Sequence, residues 1–233
     1  MCTVTFLPLK NNGFIFTSNR DETPLRKTIP PKKYEENGVE LVFPKDELAG
    51  GTWIGTSSNN RLVCVLNGAF KKHNRKESYK KSRGIIAKDV LKANNFEEYI
   101  ENLNLNEVEP FTMVIVDWSN PNLSLFELVW DATKKHFNRL KNEPKIWSSA
   151  TLYSESSKET RQQWFKTWVS ESNFTTSTIL NFHHSEIGDK EQSILMKRPN
   201  VETVSITSIK KEHQNIDLLY EDVIHNLIYK TSI

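Results

Sequence analysis

Short runs of β-branched and aromatic residues, separated by Gly and Asn, recur along this chain and limit the folds open to it. Residues 3–9 and 13–17 flank Asn11-Asn12-Gly13. Because Asn and Gly both tolerate the positive φ of a type I′ turn, these runs predict a β-hairpin within the first twenty residues. Further strands are predicted at 39–43, 52–56, 61–67, 111–117, 123–130, 201–209 and 217–230. Their close spacing indicates antiparallel sheets.

Helical periodicity appears between these groups of strands. Ser82 is a good N-cap for a helix that ends at Asn94-Asn95, and further helices are predicted at 96–103, 154–172 and 176–184. The Pro-rich segment 24–33 is predicted to be a polar connection. Strand groups alternating with helix pairs predict a layered α+β fold, and 233 residues suit one large domain, 1–233.

Charge and composition narrow the range of partners. The chain has 31 Lys+Arg against 29 Asp+Glu, a net charge of +2, which argues against nucleic acid as a partner. No window approaches the roughly 18 apolar residues of a membrane span, so stable membrane insertion is not expected. Two cysteines without a secretory leader favour a reducing compartment, the cytoplasm. The basic stretch 70–82, which Arg83 follows, is interpreted as a solvated loop, with contact to phosphate or an anionic ligand as the alternative.

Cys2 is the residue whose position most suggests chemistry. Methionine aminopeptidases remove Met1 when the next side chain is small, and removal leaves a thiol and a free α-amine on one residue. The amine has a reference pKa of about 7.7–8.0 and can activate that thiol as a nucleophile. The alternative is that Cys2 is an accident of the start site.

A polar segment follows the predicted hairpin. Asn19, Arg20, Asp21 and Glu22 come directly after its second strand, and that strand returns the chain to the end where Cys2 sits. A guanidinium and a carboxylate beside a thiol stabilise thiolate and orient an amine. A surface ion cluster in a turn remains the alternative.

Together these motifs resemble the NRDE family, which includes the Transport and Golgi organisation 2 proteins. The resemblance rests on five segments in order: Met-Cys at the start, Asn-Arg-Asp-Glu at 19–22, Gly-Gly-Thr-Trp-Ile-Gly at 50–55, the strand Arg61 to Asn67, and Ser-Arg-Gly at 82–84. It implies an N-terminal-nucleophile hydrolase-like fold, a four-layer αββα sandwich with two antiparallel sheets between helical layers. The sequence contains no nucleotide-binding loop and no zinc signature, so no cofactor and no metal are expected.

The resemblance extends to cysteine amidohydrolases such as bile salt hydrolases and penicillin V acylases, and it implies a role for each matching residue. Cys2 is the nucleophile and its amine the general base, Asp21 orients the amine, and Arg20 supports thiolate and substrate. Asn67, with the Gly68 amide, receives the oxyanion. The second oxyanion asparagine of those hydrolases has no counterpart at 146–150. Asn19, Trp53 and Arg83 are candidate substrate-binding residues.

Several of these residues also have plainer interpretations. Trp53 is more often a packing residue, and Arg83 is equally suited to pairing with a nearby carboxylate. Cys64, within a strand, is expected to be a buried, inert thiol. His183 and His184 point to different faces of a predicted helix and make a poor metal pair.

Two functions follow from this pattern, and both have a small molecule as ligand. One is an N-terminal-cysteine amidohydrolase acting on a non-peptide linear or acyl amide. The other is a non-catalytic NRDE-family protein that binds or moves a small hydrophobic ligand, a lipid, acyl group or haem. An interaction scaffold with a vestigial site is a third, weaker alternative. The oligomeric state is not predicted.

Overall fold

The structure, a computed structural model, describes residues 3–233. The prediction for Cys2 therefore lies outside the described residues. The chain divides into two compact units, one formed by residues up to Arg26 together with Glu143–Ile233, the other by Lys27–Asn142. The single-domain assignment stays a prediction.

Regular structure covers most of the described chain. Its strands are β1 (Thr3–Pro8), β2 (Phe14–Glu22), β3 (Thr28–Glu36), β4 (Val39–Asp46), β5 (Ile54–Ser57), β6 (Arg61–Asn67), β7 (Phe111–Asp117), β8 (Ser124–Trp130), β9 (Lys135–Leu140), β10 (Lys145–Ser148), β11 (Glu202–Glu212), β12 (Asn215–Asp222) and β13 (Leu227–Ser232). Its helices are α1 (Arg83–Lys92), α2 (Phe96–Asn102), α3 (Glu155–Glu171) and α4 (Thr176–His183).

The first unit contains a six-stranded antiparallel sheet with the order β10-β1-β2-β11-β12-β13. The predicted hairpin is confirmed as β1 and β2, but its turn lies one residue earlier than expected. Positive φ falls on Asn11 (55°) and Asn12 (57°), while the Gly13 N–H closes the turn on Lys10 O at 3.1 Å. Because Asn tolerates the left-handed region, two asparagines can form the turn without using the glycine there.

The second unit contains a seven-stranded antiparallel sheet in sequence order, β3 to β9. The prediction that residues 24–33 form a connection is wrong in part, because Pro30 and Pro31 lie within β3. β3 is at the edge of the sheet, where a proline, which has no backbone N–H, does not interrupt hydrogen bonding to a further strand. Its register with β4 shifts between Ile29 and Lys32. β9 was missed because its polar side chains are typical of a solvated segment.

Each sheet carries two helices of its own unit. In the first unit α3 and α4 bury a core against β1 and β2 formed by Leu7, Ile15, Ile146, Phe165, Ile179, Phe182 and Ile194. In the second, α1 and α2 pack on strands of the seven-stranded sheet, and the Ser82 side chain accepts from Ile85 N as the predicted N-cap. Two antiparallel sheets with four helices confirm the predicted α+β class.

Candidate active site

Three of the predicted site residues lie side by side in β2. The sequence predicts that these residues follow the second strand of the hairpin. In the structure β2 continues through Glu22, because β11 pairs with it on the side opposite β1. Asn19 is opposite Thr3 of β1, and Asp21 is opposite Thr203 of β11. Since side chains alternate along a strand, Asn19 and Asp21 share one face of the sheet and Arg20 points to the other.

Asp21 is a buried carboxylate held by two hydroxyl groups. The Thr203 hydroxyl donates to Oδ1 at 2.6 Å, and the Tyr153 hydroxyl donates to Oδ2 at 3.1 Å. Met196 N donates to Thr203 Oγ1 at 3.0 Å, so the hydroxyl proton of Thr203 is directed at the carboxylate. Asp21 is 3% exposed. Hydrogen bonds to both oxygens fix the orientation of the carboxylate.

Tyr153 is positioned by the turn that leads into α3. Its N–H donates to Ser149 O at 3.2 Å, and the next residue, Ser154, is the N-cap of the helix. Two guanidinium groups lie over its ring, that of Arg161 at 4.1 Å from the centroid and that of Arg198 at 5.3 Å. Cations over a ring face are attracted to its π-electrons. The hydroxyl that reaches Asp21 therefore belongs to a ring with little freedom to turn.

Asn19 is bonded entirely within the first unit. Its Nδ2 donates to His183 O at 3.1 Å and to Ile194 O at 2.9 Å, and its Oδ1 lies 2.6 Å from His183 Nδ1. The residue is completely buried. Because both N–H groups meet backbone carbonyls, the orientation of the amide is determined, and Asn19 ties α4 and the segment before β11 to β2.

The tautomer of His183 follows from that orientation. Asn19 Oδ1 is an acceptor, so His183 Nδ1 carries the proton, and the Thr5 hydroxyl donates to Nε2 at 2.8 Å. Burial, then the charge of Arg161, then that of His184, lower the pKa of His183 to about 3. His183 is thus a neutral core residue. The neighbouring His184 has a different partner, since its Nε2 lies 2.8 Å from Glu221 Oε2.

Arg161 of α3 is a completely buried guanidinium beside the start of β1. Its Nη1 donates to Gln192 O and Ser193 O, both at 2.6 Å, its Nε donates to Ser148 Oγ at 3.1 Å, and its Nη2 donates to Thr3 Oγ1. Thr3 follows Cys2 in the chain. This arginine therefore anchors the first described residue of β1.

Arg20, on the opposite face of β2, is 3% exposed. Its Nη1 donates to Arg26 O at 3.1 Å, across the turn that follows the strand. A guanidinium has five N–H donors in a fixed plane, so one bond to a backbone carbonyl limits the direction of the others.

Asn67, Trp53 and Arg83 lie in the second unit. Asn67 ends β6 opposite Phe111 of β7. The Gly68 amide, expected in the oxyanion site, instead donates to Pro110 O at 3.0 Å, because the chain turns at Gly68 with φ 83°. The Gly68 amide thus already has a backbone acceptor, and a role for Asn67 at an oxyanion stays a prediction.

Trp53 is 7% exposed, and its carbonyl accepts from Val65 N at 2.8 Å, an arrangement typical of a packing residue. The carboxylate alternative holds for Arg83, whose Nη2 lies 3.1 Å from Glu109 Oε2 and whose Nη1 donates to Pro110 O at 3.3 Å. Binding of substrate by either residue stays a prediction.

The two glycine motifs of the second unit meet each other. A Cβ on Gly84 would lie 2.8 Å from Thr52 O, and one on Gly51 would lie 2.8 Å from the carbonyl carbon of Gly84. Thr52 N donates to Gly84 O at 3.4 Å. Only glycine permits two backbones to approach so closely. This contact explains why both segments, Gly-Gly-Thr-Trp and Ser-Arg-Gly, have glycine at the point where they meet.

The family model of Transport and Golgi organisation 2 matches residues 1–224. The chain belongs to this family. A search of curated protein sequences found no match. Family membership confirms the resemblance inferred from the sequence motifs.

Solved structures similar to this family member share its fold at low sequence identity. A Caenorhabditis elegans N-acylethanolamine-hydrolyzing acid amidase ortholog has a TM-score of 0.61 and 15% identity, covering 89% of this chain and 92% of its own. Penicillin V acylase from Agrobacterium tumefaciens has a TM-score of 0.59 and 12% identity, covering 100% of this chain and 86% of its own. The C2A mutant of conjugated bile acid hydrolase from Clostridium perfringens has a TM-score of 0.56 and 12% identity, covering 100% of this chain and 92% of its own. These likenesses show an N-terminal-nucleophile hydrolase-like fold.

Sequence reasoning missed Tyr153, Arg161 and the role of Thr203 in this family member. They approach Asp21 and Thr3 from positions more than 130 residues away in the chain, and no local pattern marks them. Cys64 is fully buried, as expected. Across residues 3–233 no group of three His, Cys, Asp or Glu side chains is placed to hold a metal ion. None of the helices described combines the length and apolarity needed to cross a bilayer.

Proposed function

We propose that this protein, after removal of Met1, is an N-terminal-cysteine amidohydrolase acting on a non-peptide linear or acyl amide. The observation that carries the proposal is the Asp21 carboxylate. It is buried, held by the hydroxyls of Tyr153 and Thr203, and lies on β2 two residues beyond the partner of Thr3. Burying a carboxylate is unfavourable unless donors satisfy it, so such a group beside the start of β1 suits the orientation of an N-terminal amine.

In the first half of the reaction the α-amine of Cys2 takes the thiol proton, and the thiolate attacks the amide carbonyl carbon. Asp21 orients the amine and stabilises the ammonium that forms. A side-chain amide is needed to stabilise the tetrahedral oxyanion, and the sequence motif makes Asn67 the candidate for that role. As the C–N bond breaks, the ammonium returns its proton to the leaving amine, and an acyl thioester on Cys2 remains.

Water completes the reaction. The same amine removes a proton from water, hydroxide attacks the thioester, and the thiolate leaves and is reprotonated as the carboxylic acid departs. Arg20 stabilises the thiolate form of Cys2 in both halves. Asn19 contributes indirectly, because its amide holds β2 against α4.

Family membership supports this assignment, as do the names of the similar structures, an acid amidase, an acylase and a conjugated bile acid hydrolase. The bile acid hydrolase also carries a cysteine at position 2, replaced by alanine in the solved mutant. An acyl amide is therefore the substrate class to test first.

Intact-mass spectrometry of the purified protein tests the first requirement. Loss of Met1 is expected, and a retained Met1 rules out the free-amine mechanism. Labelling with a thiol-reactive probe at pH 7 is then expected to modify Cys2 well before Cys64, which is fully buried. Equal or absent labelling of Cys2 would favour the carrier of a hydrophobic ligand instead.

Hydrolysis of N-acylethanolamines and other acyl amides tests the activity itself. Cys2→Ala is expected to abolish release of the amine, while Cys64→Ala, a control for loss of a thiol, keeps it. Asp21→Asn keeps the size of the side chain but removes its charge, and we expect a loss of about 100-fold or more in kcat. Hydrolysis that survives Cys2→Ala would refute the proposal.

A further inference from the structure

The chain between β6 and α1, residues 68–82, forms a loop whose ends are fixed. Gly68 N donates to Pro110 O at 3.0 Å, and Lys80 N donates to Glu107 O at 2.9 Å. Lys81 forms a parallel β-bridge with Val108. Both ends of this segment, the basic loop, are thus attached to the four residues that precede β7.

The basic loop concentrates the positive charge of the molecule. It holds six Lys and Arg residues and one Glu, a formal charge of +5, in a chain whose total is +2. The rest of the chain therefore carries −3. A near-neutral protein with charge separated in this way presents a local positive potential that its net charge conceals.

Glu109 lies close to two side chains of the loop, His73 and Arg75, and to Arg83 of α1. Its carboxylate lies 3.4 Å from His73 Nε2, 3.1 Å from Arg83 Nη2 and 3.9 Å from Arg75 Nε. Within residues 3–233 four exposed lysines of the loop form no ion pair: Lys71, Lys72, Lys76 and Lys80. Like charges on one short loop repel one another, and an anionic surface relieves that repulsion.

An exposed aromatic side chain directly precedes Lys71 and Lys72 in the loop. Phe70 is 51% exposed, and its ring meets His136 edge-on at 5.0 Å between centroids. A half-exposed aromatic ring beside lysines is the combination that binds the interface of an anionic bilayer, where the ring enters the headgroup region. Nucleic acid is the weaker choice, because the chain outside the loop carries a formal charge of −3, which opposes contact with a long phosphate backbone.

We propose that the basic loop docks this protein on the surface of anionic lipid bilayers, with the four lysines facing the headgroups and Phe70 entering the interface. The proposal is independent of the proposed hydrolase activity. Each Lys near such a surface strengthens binding by about fivefold at low ionic strength. The contribution falls as salt shortens the screening length.

Sedimentation of the full chain with vesicles of 30% phosphatidylserine in phosphatidylcholine tests the proposal. We expect binding to these vesicles in 20 mM salt, at least tenfold weaker binding in 500 mM salt, and none to pure phosphatidylcholine. Replacing Lys71, Lys72, Lys76 and Lys80 together by Gln is expected to reduce binding by about 100-fold or more. Phe70→Ala alone is expected to reduce it by about fivefold.

A matched variant separates local from total charge. Replacing Lys10, Lys134, Lys141 and Lys166 by Gln removes the same four charges at exposed positions outside the loop. We expect this control to keep most of the binding, and circular dichroism to show both variants folded. Equal loss in the two variants, no preference for phosphatidylserine, or tighter binding to an RNA oligonucleotide at the same salt would each overturn the proposal.

Discussion

Removing the Tyr153 hydroxyl tests whether Asp21 is a charged group held by neutral donors. Tyr153→Phe keeps the ring and its stacking under Arg161 at 4.1 Å, and deletes only the hydroxyl that donates to Asp21 Oδ2. Thr203 still donates to Oδ1 at 2.6 Å, so the carboxylate keeps its shorter bond. The expected change is a loss of folding free energy with no change of packing.

The two distances determine the magnitude. A hydrogen bond to a charged group contributes about 1.5–3 kcal/mol to stability. At 3.1 Å the Tyr153 bond is long for a hydroxyl donor, so we expect the lower figure, about 1.5 kcal/mol. Thr203→Val breaks the bond of 2.6 Å and also leaves Met196 N without its acceptor, so about 3 kcal/mol is expected.

Urea denaturation at pH 7 measures both changes, with an unchanged m-value as the sign that the native state is preserved. In an Asp21→Asn background the partner is neutral, and the effect of Tyr153→Phe should fall to about 0.5 kcal/mol, a coupling of about 1 kcal/mol. If Tyr153→Phe has the same effect in both backgrounds, the hydroxyl does not stabilise a charged Asp21, and the proposed site loses its main support.

Three further predictions concern stability. Because the pKa of His183 is lowered in the folded protein, the unfolded chain binds a proton more readily, and stability is lost as pH falls below about 6.5. We expect the free energy of unfolding to be about 2 kcal/mol lower at pH 5 than at pH 7. His183→Gln should reduce this difference, whereas His213→Gln, at an exposed site, should leave it unchanged. Gly84→Ala places a methyl group 2.8 Å from a backbone oxygen and should reduce the free energy of unfolding by about 3 kcal/mol, whereas Gly38→Asn, at φ 75° in open space, should change it by less than about 0.5. Asp117→Asn removes the counter-charge of the buried Arg61 guanidinium, whose Nε lies 2.9 Å from Asp117 Oδ2, and should reduce the free energy of unfolding, measured in urea, by about 3 kcal/mol. A loss below about 1 kcal/mol would show that the pair is not desolvated.

Local patterns were sufficient for most of the secondary structure. Strand β7 falls at the predicted residues, and Ser82 caps its helix as the sequence indicates. The errors have a common origin in pairing. Pro30 and Pro31 enter β3 because an edge strand tolerates them, and the segment predicted as one strand at 217–230 is two strands, β12 and β13, paired with each other.

The sequence by itself determined which residues are candidates for chemistry. Cys2, Arg20 and Asp21 stand out through residue type and spacing, and the family match over residues 1–224 agrees with the motif that contains them. Tertiary structure alone decided what surrounds them in the first unit. Tyr153 and Thr203 reach Asp21 across 132 and 182 residues of chain. Such contacts depend on sheet register and helix packing, which no local pattern encodes, because one strand can pair with any other whose buried face matches it.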